Sequence, residues 1–183
     1  MTPEAARKIL AEADLICSEE KSALAVRRVA AAIGERLAHS NPLVLAIMGG
    51  AVVFIGQLLP QLDFPLDFDY LQVSRYRDNT SGGQLSWVVE PKSTVAGRCV
   101  LVVDDILDEG VTLAEIRQRL FALGAAEVLT AVFADKHRDC RNRSLRILWA
   151  LACRIAMYSA LAWIFKVPGA TCLRCTHYVS LRE

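Results

Sequence analysis

The sequence has almost no net charge, because 21 lysines and arginines face 20 aspartates and glutamates and leave a formal charge of +1. This balance provides no broad basic surface, so composition gives no electrostatic argument for binding nucleic acid. Residues 1–15 also lack the apolar run of a signal peptide, since charged side chains interrupt them. We therefore expect a cytoplasmic protein that does not bind nucleic acid.

Cysteine is nearly absent from the first three quarters of the chain, where only Cys17 and Cys99 occur. The other four cysteines lie in the last part of the sequence, and this uneven distribution argues against a disulfide scaffold. The group formed by Cys172, Cys175 and His177 resembles half of a zinc site. Without a second pair of ligands, that half-site is weak support for a metal centre.

Acidic residues are missing between Cys140 and Arg182, although the rest of the chain contains many. The same region holds a long apolar stretch, residues 144–165, that includes Arg146 and Arg154. Burying two arginines in a bilayer is costly, so we do not expect a membrane-spanning role.

The most informative stretch runs from Arg98 to Ala114. Its apolar, β-branched segment Cys99–Val103 predicts a strand buried on both faces, as in a parallel sheet. Asp104 and Asp105 follow, and residues 108–112 then form a tight turn into a helix. Ligands bind at the carboxyl ends of strands in open α/β sheets, and a turn into a helix presents backbone N–H groups that suit a phosphate.

The adjacent carboxylates would repel a phosphate unless they have another task. They suit such a site if they accept hydrogen bonds from sugar hydroxyls or hold a cation that bridges to the ligand. The simpler alternative is the start of a helix with solvated acids.

Further strands are predicted on both sides of this stretch. Residues 43–48 form an apolar strand that ends in a glycine pair and is followed by a helix, and residues 127–133 form another buried strand. Residues 66–73 and 84–90 predict a long hairpin with a polar, flexible tip. The expected fold is α/β, with a mostly parallel central sheet of about five strands flanked by helices.

The stretch from Arg98 to Ala114 resembles the signature of the type I phosphoribosyltransferases, which bind 5-phosphoribosyl diphosphate (PRPP). The loop order from Asn41 to Arg138 is similar to that of the hypoxanthine-guanine branch. The resemblance implies that Asp104 and Asp105 hold the ribose hydroxyls and, through them, act indirectly on a metal. It also implies a cradle for the 5-phosphate and an acid or base for the purine nitrogen at Asp108. The implied cradle residues are Asp108, Glu109, Gly110, Val111 and Thr112.

The resemblance assigns roles to three other loops. Met48, Gly49 and Gly50 would contact the diphosphate, although many members carry lysine at the position of Met48. The start of a mobile hood loop would comprise Ser74, Arg75 and Tyr76. Lys136 would read the exocyclic oxygen of a 6-oxopurine.

The implied activity is transfer of a phosphoribosyl group from PRPP to hypoxanthine or guanine, giving IMP or GMP and diphosphate. Mg²⁺ is the implied cofactor, and a homodimer or homotetramer the implied assembly. Two alternatives stay open: a non-catalytic regulator that binds PRPP or a nucleotide on the same fold, and an inactive remnant.

The resemblance ends near Arg141, so we divide the chain into a phosphoribosyltransferase domain, residues 1–141, and an aberrant apolar, cysteine-rich segment, residues 142–183. The genetic code offers an explanation for this segment. When the last base of each codon is read with the first two of the next, Trp149-Ala150 must give Gly, Met157-Tyr158 must give Val and Trp163-Ile164 must give Asp. All three fit the usual C-terminal segment of the family, so we hypothesise that the chain is read out of frame after about Arg141.

This hypothesis predicts that the chain as written has a severely reduced turnover and that restoring the reading frame restores the turnover. As written, the segment supplies no carboxylate between Cys140 and Arg182 and no aromatic pair after Lys136 at the family's spacing. Turnover of hypoxanthine and PRPP should be compared between this chain and one restored after Arg141. Equal turnover by the two chains contradicts the hypothesis.

Overall fold

The computed structural model describes residues 2–12, 14–75, 85–136, 147–153 and 175–177. The chain divides into two compact units, one formed by residues 1–25 and 154–183 and the other by Val26–Cys153. The domain boundary between residues 141 and 142 stays a prediction.

The smaller unit contains a helix and a two-stranded antiparallel sheet. Helix α1 spans Pro3–Glu12 and begins where the Thr2 hydroxyl accepts a hydrogen bond from the Ala5 backbone at 3.2 Å. Strand β1 (Asp14–Cys17) pairs with the last strand of the chain, β8 (Cys175–His177).

Helix α2, Glu19–Leu37, begins in the smaller unit and ends in the larger one. In the larger unit its apolar side chains recur every three or four residues and are buried: Val26, Val29, Ile33 and Leu37. This spacing places them on one stripe of the helix, with charged residues elsewhere on its surface. No helix in the described ranges has the length and apolar character needed to cross a membrane.

The larger unit is built around a six-stranded sheet with the strand order β4-β3-β2-β5-β6-β7. Its elements are β2 (Leu43–Ile47), α3 (Val52–Leu58), β3 (Asp67–Arg75), β4 (Leu85–Val89), β5 (Cys99–Leu107), α4 (Val111–Ala122), β6 (Glu127–Lys136) and β7 (Ile147–Cys153). Five strands are parallel, and β4 is antiparallel to β3. The predicted α/β fold, with a mostly parallel sheet of about five strands flanked by helices, is therefore confirmed, and the sheet has six strands, five of them parallel.

The predicted hairpin pairs Val73 with Trp87 and Ser74 with Ser86. Its tip, residues 76–84, lies outside the described residues.

Strand β5 is longer than the sequence suggests. The predicted strand ends at Val103 and places the acidic pair after it, but β5 continues to Leu107 and includes both acids. The reason is that β6 extends equally far, so that Asp104 pairs with Val132 and Leu107 with Asp135. Ladder hydrogen bonds from a long parallel neighbour outweigh the low strand propensity of aspartate.

Helices cover both faces of the sheet. Leu113, Ile116 and Leu120 of α4 are buried against alternate residues of the central strands. Phe54 of α3 packs on Phe133 of β6, with ring centroids 5.7 Å apart. Because each fully buried leucine or isoleucine contributes roughly 1.5–3 kcal/mol, this two-sided burial is the main stabilising term of the unit.

Arg98 connects several elements at the amino-terminal edge of the sheet. Its guanidinium donates to the Asp67 carboxylate at 2.7 Å and to the Asn41 carbonyl at 2.8 Å. Its own carbonyl accepts a hydrogen bond from Ala126 at 2.9 Å. These contacts fix the starts of the parallel strands and leave the opposite edge to the functional groups.

Asp69 on β3 holds the segment that returns from β4. Its carboxylate accepts hydrogen bonds from the backbone N–H groups of Tyr70, Lys92 and Ser93 at 2.7–2.8 Å. Burial of Asp69 raises its pKa, but these backbone donors outweigh that effect and lower the pKa below its usual value.

We predict that Asp69→Ala lowers the free energy of unfolding at neutral pH by roughly 1–3 kcal/mol, because it leaves backbone donors without their acceptor. A lowered folded-state pKa gives a contribution that is present above the unfolded-state pKa and is lost as pH falls through the folded-state pKa. Urea unfolding should therefore show the loss at pH 7 and a smaller loss in acid. Asp63→Ala, at an exposed aspartate of the same unit, is the matched control; an equal effect of both substitutions contradicts the assignment.

Candidate functional site

The carboxyl ends of the central strands bring the predicted groups to one edge of the sheet. Met48 directly follows β2, the acidic pair lies near the end of β5, and Lys136 is the last residue of β6. Parallel pairing sets Ala46 beside Val103, so the loop after β2 reaches the edge at the level of the acidic pair. The structure thus brings together three of the segments that the sequence analysis singled out.

The two adjacent acids are partly buried. The backbone N–H of Asp105 donates to the Asp104 carboxylate at 2.9 Å. Burial raises the pKa of Asp104 well above its ordinary value, and the charge of Asp105 raises it further. Burial also raises the pKa of Asp105. The desolvation and mutual repulsion of two such carboxylates destabilise the folded state unless hydrogen-bond donors or a cation interact with them. Acids with raised pKa values are typical of a functional site.

Gly50 lies directly against the carboxylate of Asp105. A Cβ atom at Gly50 would lie 2.7–2.8 Å from the Asp105 carboxyl group, closer than real contacts allow. Only glycine therefore permits the loop after β2 and the acidic pair to approach this closely.

The remainder of the glycine loop is anchored on one side and open on the other. The backbone N–H of Met48 donates to the Leu71 carbonyl at 2.8 Å, and the peptide bond between Met48 and Gly49 is cis. A Cβ atom at Gly49 would meet nothing within 4 Å. The backbone of this loop can therefore be approached by a ligand.

The turn after β5 leads into the N-terminus of α4. Gly110 is the N-cap residue and has φ +76°, a left-handed conformation that favours glycine. Its carbonyl accepts the helical hydrogen bond from Ala114 at 2.9 Å, and the first turn of α4 contains no acidic residue. Asp108 and Glu109 are exposed just before it. Because the first N–H groups of a helix have no partner within the helix, this terminus suits an anion.

The donor set fits Mg²⁺ better than a metal held by protein alone. Within the described ranges, no three His, Cys, Asp or Glu side chains form a metal-ligating group. Two neighbouring carboxylates offer hard oxygen atoms, and Mg²⁺ is commonly held by one or two carboxylates together with substrate phosphates and water.

The remaining predicted residues are only partly described. Ser74 is exposed near the end of β3, whereas Arg75 and Lys136 are described only as the backbone ends of their strands. Tyr76 lies outside the described residues. Their predicted roles stay predictions.

One residue near the site was missed by sequence reasoning. Asp135, in the position before Lys136, is 1% exposed, and no role was assigned to it. The signal that could have revealed it is an acid that directly follows the apolar run 131–134 within β6.

An open, mostly parallel sheet with a glycine loop, an acidic pair and a helix N-terminus at its carboxyl edge defines an α/β protein suited to sugar phosphates or nucleotides. A family model, the phosphoribosyl transferase domain, matches residues 13–146. The chain belongs to this family.

Known proteins are similar over much of the chain. The hypoxanthine-guanine-xanthine phosphoribosyltransferase of Tritrichomonas foetus is 35% identical over 111 residues, and the hypoxanthine-guanine phosphoribosyltransferase of Lactococcus lactis is 32% identical over 112. Each alignment covers 61% of this chain and 61% of the relative, so the chain matches about three fifths of their length.

Solved structures show the same fold. A hypoxanthine-guanine phosphoribosyltransferase from Bacillus anthracis has a TM-score of 0.71 and 23% identity, covering 77% of this chain and 84% of that one. A hypoxanthine phosphoribosyl transferase from Trypanosoma cruzi has a TM-score of 0.67 and 24% identity, covering 76% and 77%.

The raised pKa of Asp104 predicts that Asp104→Asn stabilises the empty protein. For an acid whose folded-state pKa is raised, the destabilisation is absent below the unfolded-state pKa, about 3.9, grows as pH rises from there, and is complete above the folded-state pKa. Urea unfolding from pH 3.5 to 8 should show a gain for Asp104→Asn that grows with pH, while Asp63→Asn should change little. A gain that is independent of pH contradicts the electrostatic cause.

Proposed function

We propose that the chain is a hypoxanthine-guanine phosphoribosyltransferase that forms IMP or GMP and diphosphate from PRPP and the free purine, with an activity impaired by the altered segment after about Arg141. The observation that carries the proposal is the close approach of Gly50 to Asp105, which puts a loop suited to a diphosphate beside acids suited to a ribose. The names of the relatives from Tritrichomonas foetus and Lactococcus lactis support the same activity.

Binding of PRPP follows from the charges at the sheet edge. The ribose hydroxyls donate to the carboxylates of Asp104 and Asp105, and hydrogen bonds to these buried acids favour their charged form. The N–H groups at the start of α4, from Gly110 to Thr112, hold the 5-phosphate. The loop Met48, Gly49 and Gly50 contacts the diphosphate without a lysine. Because the Met48 N–H donates to the Leu71 carbonyl, the backbone N–H groups of Gly49 and Gly50 carry this contact.

We propose Mg²⁺ as the cofactor, held indirectly by Asp104 and Asp105 through the ribose hydroxyls. When bound, it supplies positive charge that offsets the charge of the leaving diphosphate. The protein's own contribution is to fix the ribose beside this charge and limit the motion of the reacting carbon.

Asp108 acts on the purine. In the transfer, the bond from ribose C1 to the diphosphate oxygen breaks and a bond from C1 to a purine nitrogen forms, through a state that resembles a ribosyl cation. The proton on that nitrogen moves to the Asp108 carboxylate, which is exposed at the end of β5. Lys136, at the end of the neighbouring strand β6, donates to the 6-oxo group.

The start of the hood loop completes the proposed site. Ser74 and Arg75, the last two residues of β3, and Tyr76 are proposed to cover the ligands, which would exclude water from the reactive sugar.

We propose a cytoplasmic homo-oligomer, a dimer or tetramer. The Trypanosoma cruzi relative is described for the role of its C-terminal region in oligomeric state and enzymatic activity. The C-terminal segment of this chain, residues 142–183, is therefore the place where assembly and activity should be examined together.

The test is turnover of hypoxanthine or guanine with PRPP and Mg²⁺, followed by release of diphosphate. Asp105→Asn should lower PRPP affinity at least tenfold in calorimetry, because the ribose hydroxyls lose a charged acceptor, while the far-ultraviolet circular dichroism stays unchanged. Glu35→Gln, an exposed change on α2, is the control.

Three outcomes separate the alternatives. Turnover by this chain, or by the chain restored after Arg141, supports the proposed enzyme. Saturable PRPP binding without turnover of either purine indicates a regulator on the same fold, and binding of neither PRPP nor purine nucleotide indicates an inactive remnant.

A further inference from the structure

Asp135 is a deeply buried acid that the proposed chemistry does not use. It is 1% exposed, and among the described residues only Ser22, Thr130 and Asp135 are polar or charged and fully buried. Both of its carboxyl oxygens are inaccessible to solvent. Because burying a carboxylate is costly, the surroundings of Asp135 must compensate its desolvation, and the packed end of β6 restricts the space open to it.

The sheet register places Asp135 next in sequence to one residue proposed to contact the purine and level with the residue before the other. In the sheet it pairs with Leu107 of β5 on one side and Ala152 of β7 on the other. Asp108 directly follows the end of β5, and Lys136 is the last residue of β6. Leu107 and Asp135 form a pair in the sheet, and each directly precedes one of the two residues proposed to contact the purine, Asp108 and Lys136.

A contribution to stability does not explain why an aspartate occupies position 135. Replacing a buried charged group by a well-packed apolar residue is often neutral or stabilising. The preceding residues of β6, Ala131, Val132, Phe133 and Ala134, are buried and apolar. An apolar residue at position 135 would continue this pattern without the desolvation that a carboxylate requires.

We infer that Asp135 is a positioning residue that fixes the end of β6 and thereby sets the place of Lys136 relative to Asp108 for the bound purine. Because residues 135 and 136 share a peptide unit, a fixed side chain at 135 limits the movement of the backbone that carries Lys136. Precise placement of a donor is needed because a displacement of about 1 Å can greatly weaken a directional contact. The inference rests on the proposed function.

The first experiment compares two ligands that share the ribose 5-phosphate but differ in the purine. Calorimetry should measure GMP and PRPP binding, with Mg²⁺, to the full chain and to Asp135→Leu and Asp135→Asn. We expect Asp135→Leu to weaken GMP binding about tenfold and to change PRPP binding less than twofold. Asp135→Asn, which keeps one carbonyl acceptor, should lie between Asp135→Leu and the parent, and it also serves if the leucine variant does not fold.

The matched control is Thr130→Val on the same strand. Thr130 is also 1% exposed, but it lies five positions before Asp135 and away from the carboxyl edge. Thr130→Val removes a buried polar group at nearly constant shape and should leave both affinities unchanged.

A double-mutant cycle tests whether Asp135 acts through Lys136. Lys136→Ala alone should weaken GMP binding and leave PRPP binding unchanged. If Asp135 acts by placing Lys136, adding Asp135→Asn to Lys136→Ala should weaken GMP binding no further. Additive losses would show that Asp135 acts independently and would overturn the inference.

The remaining outcomes distinguish this inference from the proposed function. If the parent binds both ligands and Asp135→Leu and Asp135→Asn bind GMP as tightly as the parent, the inference is wrong and the proposed function stands. Equal losses for GMP and PRPP assign Asp135 a general structural role and also overturn it. If the parent chain binds neither GMP nor PRPP, the proposed function is wrong, and the inference falls with it.

Discussion

The close approach of the Gly50 backbone to the Asp105 carboxylate constrains the spacing between the glycine loop and the acidic pair. The two residues belong to loops or strands that are far apart in sequence, and the parallel pairing of β2 with β5 brings them to the same level. If a side chain were present at position 50, either the glycine loop or the acid would have to move. The separation between the loop proposed for the diphosphate and the acids proposed for the ribose is therefore set by the absence of one Cβ atom.

Favourable electrostatic contacts lie at one edge of the sheet, and the unfavourable pairing of two acids lies at the opposite edge. At the amino-terminal edge, Arg98 joins Asp67 and Asn41 through short hydrogen bonds. At the carboxyl edge, Asp104 and Asp105 lie side by side, partly buried, with raised pKa values. The strands continue without interruption between the two edges, so apolar packing along their length offsets the repulsion of the acids.

The sequence predicts the fold well, because buried parallel strands have a strong local signature. The apolar runs of β2, β5 and β6 and the glycine at the start of α4 are sufficient to indicate the sheet and the turn into α4. The end of β5 was placed too early, because two adjacent aspartates look like the end of a strand when the neighbouring strand is unknown. Pairing with β6 through Asp135 supplies that missing information.

Other features depend on contacts that no local pattern contains. Asp69 holds backbone groups 23 and 24 residues away, and its sequence neighbourhood gives no indication of this. The roles of Tyr76, Lys136 and the segment after Arg141 depend on residues or side chains outside the described part, and they stay predictions.

The paired acids also link folding to occupancy. A ligand that donates hydrogen bonds to Asp104 and Asp105 binds the folded chain and not the unfolded one, so by mass action it shifts the folding equilibrium. The ligand additionally compensates an electrostatic penalty that exists only while the site is empty. The fraction of folded chain, and with it resistance to proteolysis, thus depends on the supply of the molecule that the site binds.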